Sequence, residues 1–324
     1  MVIRFISFLL LVFNGYSCVP SQEEKAGPAP VPPGSVVARL TADLPEAESI
    51  VSNPWVIDWM RLVSELPQVQ SRTVKINEKD VVLDESVYYY SRYGSPLAYS
   101  RALDLAATAG FEGLRGTRVF DFGYGSIGHL QMMALAGSHA VGVDVAPILK
   151  WMYRDASGPL GEGSVQVFDG KFPKEADLIE RIGGDFDLVI SKNVLKRGYI
   201  HPSREVVDPR MLIDLGVGDE QFLTQVSKML KPAGLFVIYN FCPAKAPKDK
   251  PYIPFAEGES PFTREAFSQA GFDVLHFDVV DHAEARRLGH ALGWDGPGGM
   301  KLDTDLFAWY TIVRKKSQSE STQP

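Results

Sequence analysis

Apolar positions along this chain change their period at two points. Between residues 40 and 65 they recur at helical spacing, with Trp55, Trp59 and Leu62 on one face. Asn53-Pro54 supplies an N-cap followed by proline at the first helical position. Residues 71–83 alternate instead, which predicts two short strands around a polar turn. Tyr88, Tyr89, Tyr90 and Tyr93 form an aromatic cluster, and Ser95-Pro96 opens a helix that runs to about Thr108, with Gly110 as its stop.

From residue 117 the chain alternates between strands and helices. Strands are predicted at 117–122, 140–143, 164–168, 186–191 and 235–240. Helices are predicted at 127–136, 147–154 and 219–230, the last with Phe222, Val226 and Met229 on one side and a stop at Lys231-Pro-Ala-Gly234. A short helix at 263–270 follows, then strands at 272–280 and 306–313 with a short helical stretch and a Gly/Pro-rich loop between them. The fold class is α/β: a doubly wound, mostly parallel seven-stranded sheet with right-handed crossovers. A C-terminal antiparallel strand pair closes it, and a helical and hairpin extension precedes it.

Composition narrows the picture. The 324 residues suit one large α/β domain with an elaborated N-terminus, or two domains. A hydrophobic share of 45% describes a globular protein with a sizeable core. The net charge of −7 gives no reason to expect a nucleic-acid partner. Lys192, Lys196 and Arg197 gather locally, as do Lys245, Lys248 and Lys250. They read either as solvated loops or as a mouth for an anionic substrate. The two cysteines, Cys18 and Cys242, set up no disulfide framework, and the histidines show no metal-ligand spacing, so no zinc site is expected.

The N-terminus reads as a targeting segment. Arg4 precedes a mainly apolar run at 5–13, a length that suits a signal h-region and falls short of the roughly 20 residues a spanning helix needs. Gly15-Tyr16-Ser17 ends in a small residue ahead of Cys18. This resembles a bacterial lipoprotein signal, with Gly15 where that signal usually carries leucine, and it implies lipidation at Cys18. The stretch that follows is proline-rich and polar, an extended tether. The expected organisation is a signal peptide at 1–17, a tether at 18–39, the helical and hairpin extension at 40–110, the sheet domain at 111–316 and a disordered tail at 317–324. The expected location is outside the cytoplasm on a lipid anchor, the membrane being met only through that anchor. Plain secretion and an uncleaved anchor with the domain facing the cytoplasm remain alternatives.

The chemistry centres on Gly123-x-Gly125-x-x-Gly128. This loop follows a strand and opens a helix, and the next strand ends in Asp144. Glycines let the backbone approach a ligand, helix N–H groups face an anionic group, and the acid accepts from ribose hydroxyls. Both NAD and S-adenosyl-L-methionine need that ribose acceptor. A dinucleotide places its pyrophosphate at the loop, usually behind apolar residues. Here Asp121 stands two residues before Gly123. The amino-acid end of S-adenosylmethionine is a zwitterion, whose ammonium wants a carboxylate and whose carboxylate wants donors.

On these residues the chain resembles the class I S-adenosylmethionine-dependent methyltransferase family over roughly residues 92–314. Asp121-Phe-Gly-Tyr-Gly125 matches the family's acid-x-Gly-x-Gly motif, with Ile127 at the usual third glycine, Gly128 one place later and a large Tyr124. Asp144 matches the ribose-binding acid. Asp169-Gly170 matches the adenine-binding position, with Phe168 flanking the ring. Gly184 to Ser191 and the run from Leu230 match the fourth and fifth strand motifs. The resemblance implies methyl transfer to a small or medium acceptor. It implies a cofactor site at Asp121, Gly123, Gly125, Gly128, Asp144, Phe168, Asp169, Ser191 and Asn193, with Tyr93 folding over from the extension.

Methyl transfer draws mostly on positioning, and a base is needed only for an acceptor that is protonated at working pH. Beyond the strand ends, Ser191, Lys192 and Asn193 face Tyr239, Asn240 and Phe241 across the expected methyl position. His201 and Tyr199 are the candidate bases, and Lys192 is the candidate holder of an anionic acceptor. Each also reads as an ordinary loop or packing residue. Two rival functions stay open: a catalytically silent exported binding lipoprotein on this fold, and a nicotinamide oxidoreductase. The acceptor, the atom methylated and the oligomeric state are not legible.

Overall fold

The computed structural model describes residues 36–76, 79–89 and 94–317. Helices α1 (Val36–Glu48) and α2 (Pro54–Arg61) lead to a hairpin of β1 (Arg72–Ile76) and β2 (Lys79–Leu83). Helices α3 (Glu85–Tyr89) and α4 (Ser100–Thr108) complete the extension. The Asn53 side chain accepts from Trp55 N and caps α2 as its sequence position predicts. The helix expected from Ser95 starts as a tighter turn, Pro96–Tyr99, before α4.

The sheet begins with β3 (Arg118–Phe122), followed by α5 (Gly128–Leu135), β4 (His139–Asp144), α6 (Pro147–Met152), β5 (Gly158–Leu160), β6 (Gly163–Asp169) and α7 (Ala176–Ile182). Next come β7 (Phe186–Lys192), α8 (Arg197–Ile200), α9 (Asp219–Met229), β8 (Leu230–Cys242), α10 (Arg264–Gln269), β9 (Phe272–Val280), α11 (His282–Ala291), α12 (Leu302–Asp305) and β10 (Phe307–Lys315). The strand order is β5-β6-β4-β3-β7-β8-β10-β9. Strands β6, β4, β3, β7 and β8 are parallel, and β10 is antiparallel to both β8 and β9.

The sheet therefore has eight strands, not the expected seven. The addition is β5, which pairs antiparallel with β6 at the edge. Its Gly-Pro-Leu sequence argues against a strand interior but suits an edge, where proline's missing N–H costs no ladder bond. Strand β8 also starts earlier than expected, at Leu230, because Lys231 is pinned to Asp187 of β7 at 2.7 Å and the β7–β8 register absorbs the irregularity.

Alternation along the strands feeds two cores. Val119, Ile190 and Val237 enter one cluster, and Phe120, Val189 and Phe236 the other. The first face packs against α1, α2, α4, α5, α6 and α11, the second against α7, α9 and α10. The extension shares one hydrophobic cluster with the sheet. A buried polar network reinforces the junction: Arg101 donates to Asp281 at 2.7 and 2.9 Å, and Asp104 accepts from Ser52 N, Asn53 N and Arg101. Strand order reverses at β3, between β4 and β7, so a crevice opens beyond the carboxyl ends there.

Candidate functional site

A cleft of about 300 Å³ opens beyond the carboxyl ends of β4 and β6, next to the loop after β3, lined by Tyr124, Asp144, Tyr153, Phe168, Asp169 and Arg181, among others. Asp144 ends β4, and its carboxylate accepts from Gly125 N at 3.1 Å and Ala146 N at 2.9 Å. Burial raises its pKa, and these backbone donors pull the other way. Phe168 is the penultimate residue of β6, with the Arg181 guanidinium 5.5 Å from its ring centroid. Asp169 meets Lys150 at 3.5 Å in an exposed pair of small energetic weight.

The Tyr124 ring is buried at the foot of this cleft. It fits because residue 142 on β4 is glycine: a Cβ there would lie 2.8 Å from Tyr124 Cδ1. Gly125 has φ +60° and open space where a side chain would point, so its backbone is bare toward solvent or ligand.

A second group of residues, outside the lining of this cleft, gathers on the first face of the sheet. Asp121 is fully buried, and its Oδ2 accepts from Tyr99 Oη at 2.8 Å and from His129 Nε2 at 2.6 Å. The Tyr99 and His129 rings stack 3.5 Å apart. Burial lowers the His129 pKa, and the hydrogen bond and charge of Asp121 pull the other way. Asp121 Oδ1 and His129 Nδ1 have no hydrogen-bond partner among the described residues.

Lys192 joins this group from the end of β7. Register places Ile190 beside Asp121, and Lys192, two residues on, returns to the same face. It is 8% exposed. Its Nζ stands 4.7 Å from the Tyr99 ring centroid and 5.6 Å from that of Phe241. It makes no hydrogen bond or ion pair to any described residue. Burial pushes its pKa down to about 8.

The remaining sequence candidates are dispersed. Gly123 lies under Val194, and Gly128 lies under Tyr89 and Pro96 of the extension, with its virtual Cβ 3.1 Å from Tyr89 Cδ1. Ser191 donates to Phe122 O at 3.1 Å. Asn193 staples β7 to β8, its N donating to Tyr239 O and its Oδ1 accepting from Phe241 N. Tyr199 is buried against Lys196, whose Nζ is 5.5 Å from its ring. His201 is half exposed and pairs with Asp219 at 2.9 Å. Tyr93 and Cys18 lie outside the described residues.

Sequence reasoning missed Tyr99 and His129 as the partners of Asp121, and Tyr153 and Arg181 as cleft walls. His129 carried a weak signal, one turn into the helix after the glycine loop. Tyr99 and Arg181 carried none, because only tertiary packing brings them in.

No family model and no curated protein matches the sequence. Solved structures of similar shape include a candidate sarcosine dimethylglycine methyltransferase from Galdieria sulphuraria, 14% identical, covering 73% of this chain and 89% of that one at a TM-score of 0.42. Magnesium protoporphyrin IX methyltransferase from Synechocystis PCC 6803 with bound S-adenosylmethionine is 13% identical, with 68% and 78% covered and a TM-score of 0.36. An S-adenosylmethionine-dependent methyltransferase from Mesorhizobium loti is 17% identical, with 66% and 98% covered and a TM-score of 0.37. At this level of similarity the reading of the site rests on the chain's own residues.

Proposed function

We propose that the cleft binds S-adenosyl-L-methionine and that the chain transfers its methyl group to a small or medium acceptor. The observation that carries this is the convergence of Asp144, Phe168 and Asp169 on one cleft at the carboxyl ends of β4 and β6, beside the bare backbone of Gly125. Asp144 would accept from the ribose hydroxyls, Phe168 would flank the adenine, and Asp169 would meet its amine. The unpartnered buried Oδ1 of Asp121 is a fitting acceptor for an ammonium at the other end. When bound, the cofactor supplies a sulfonium-activated methyl that an acceptor lone pair attacks in line as the C–S electron pair returns to sulfur.

Calorimetry on the full chain tests this reading. Micromolar binding of S-adenosylhomocysteine, lost in Asp144→Ala, with no binding of NAD is expected. Binding of NAD in its place would favour the nicotinamide alternative and defeat the proposal.

A specific observation favours a second reading, a binding protein on this fold that does not turn over. Of the three candidate catalytic residues only Lys192 lies in the cluster beside Asp121; His201 pairs with Asp219 at the surface and Tyr199 packs on Lys196. Cofactor binding without methyl transfer to any acceptor panel would select it. Export and lipidation at Cys18 are proposed alongside, on the signal-like N-terminus. Globomycin-sensitive processing that disappears in Cys18→Ala is the expected result.

A further inference from the structure

We propose that Lys192 and Asp121 form a clamp for the amino-acid end of the cofactor, Lys192 taking the α-carboxylate and Asp121 Oδ1 the α-ammonium. The inference rests on the reading of the cleft as an S-adenosylmethionine site and assigns Lys192 a binding role in it.

Two buried groups of opposite sign stand on one face of the sheet, and among the described residues neither Lys192 Nζ nor Asp121 Oδ1 has a hydrogen-bond partner. Lys192 has three N–H donors facing only the rings of Tyr99 and Phe241. Asp121 satisfies Oδ2 twice and Oδ1 not at all. No ion pair joins the two side chains. Buried charges are costly unless paired, so a fold that keeps both without pairing them leaves them short of a partner. A zwitterion with ammonium and carboxylate on one carbon meets both at once.

Tyr99 links the two halves. Its hydroxyl fixes the Asp121 carboxylate, and its ring face holds the Lys192 ammonium. His129, stacked on the Tyr99 ring, bonds the same Oδ2 and leaves Oδ1 without a hydrogen bond among the described residues. Burial also lowers the Lys192 pKa, as an unpaired cation requires, and a bound carboxylate would raise it again.

The test measures three probes on the full chain by calorimetry: S-adenosylhomocysteine, its decarboxylated analogue and 5′-methylthioadenosine, which lacks the amino-acid end. Lys192→Met is expected to weaken S-adenosylhomocysteine by about tenfold or more, the scale of a lost charge-assisted hydrogen bond. The same variant should leave 5′-methylthioadenosine and the decarboxylated analogue unchanged, which also shows that it is folded. Asp121→Asn should weaken S-adenosylhomocysteine and the decarboxylated analogue, both of which carry the ammonium, and spare 5′-methylthioadenosine. Wild-type affinity for S-adenosylhomocysteine in Lys192→Met, with Asp144→Ala still abolishing it, would overturn the clamp and leave the cleft reading intact. Failure of all three probes to bind the wild-type chain would overturn both.

Discussion

Lys192 holds a charge that the empty fold would do better without. Its pKa falls from an ordinary 10.5 to about 8 because burial disfavours the charged form. The sign follows from linkage: between these two pH values the folded chain binds fewer protons than the unfolded one, so the cost is complete below about pH 8 and fades as pH rises toward 10.5. At about 1.4 kcal/mol per pH unit the upper bound is about 3 kcal/mol. Lys192→Met should therefore raise the unfolding free energy of the ligand-free protein at pH 7 by up to about that amount, as denaturant melts would show, while weakening cofactor binding. A variant more stable and less able to bind marks a residue kept for function. Affinity for S-adenosylhomocysteine should also decline as pH rises past about 8, where Lys192 loses its proton. The groups facing it are Asp121, His129, Tyr99 and Lys196, and the decline should vanish in Lys192→Met.

At the scale of elements, the glycines that look like cofactor contacts serve partly as clearances between packed pieces. Gly142 gives its side-chain volume to Tyr124 and Leu130, so Gly142→Val should push the Tyr124 ring into the cleft. The expected result is a loss of about 1–3 kcal/mol of stability from overpacking, together with weaker nucleoside binding. Gly128 makes room for Tyr89 and Pro96, which ties the glycine loop to the extension. Arg101 on α4 pairs with Asp281, which also accepts from Tyr239 of β8 at 2.9 Å. Arg101→Leu strips the cation from two buried carboxylates, Asp104 and Asp281, and should cost about 3–5 kcal/mol in thermal or denaturant unfolding.

For the whole molecule, the extension and the sheet share one core, so deletion of residues 36–110 should leave a chain that fails to melt cooperatively and is cleaved rapidly by protease. The proposed export also sets a question of supply, since S-adenosylmethionine is a cytoplasmic product. Retention of bound cofactor through purification of the processed protein would answer it. Much of the fold was legible because strand alternation and helix caps are local signals: Asn53, the glycine loop and the apolar runs of β3, β4 and β7 place themselves. Strand β5 was not, because three residues containing glycine and proline become a strand only when β6 lies alongside. The acids of the cleft were legible for the same local reason, as each follows the end of a strand or precedes a glycine turn. Their partners were not. Tyr99 reaches Asp121 from 22 positions away, and Lys192, which reads in sequence equally as a holder of an anionic acceptor or a solvated cation, is turned inward by the sheet register against Tyr99 and Phe241. The sequence by itself determined the period of each element and the acids at the strand ends, because both are set within a few residues. Only the tertiary structure decided which of those acids are satisfied and which buried charges still lack a partner, because that depends on contacts between segments far apart in the chain.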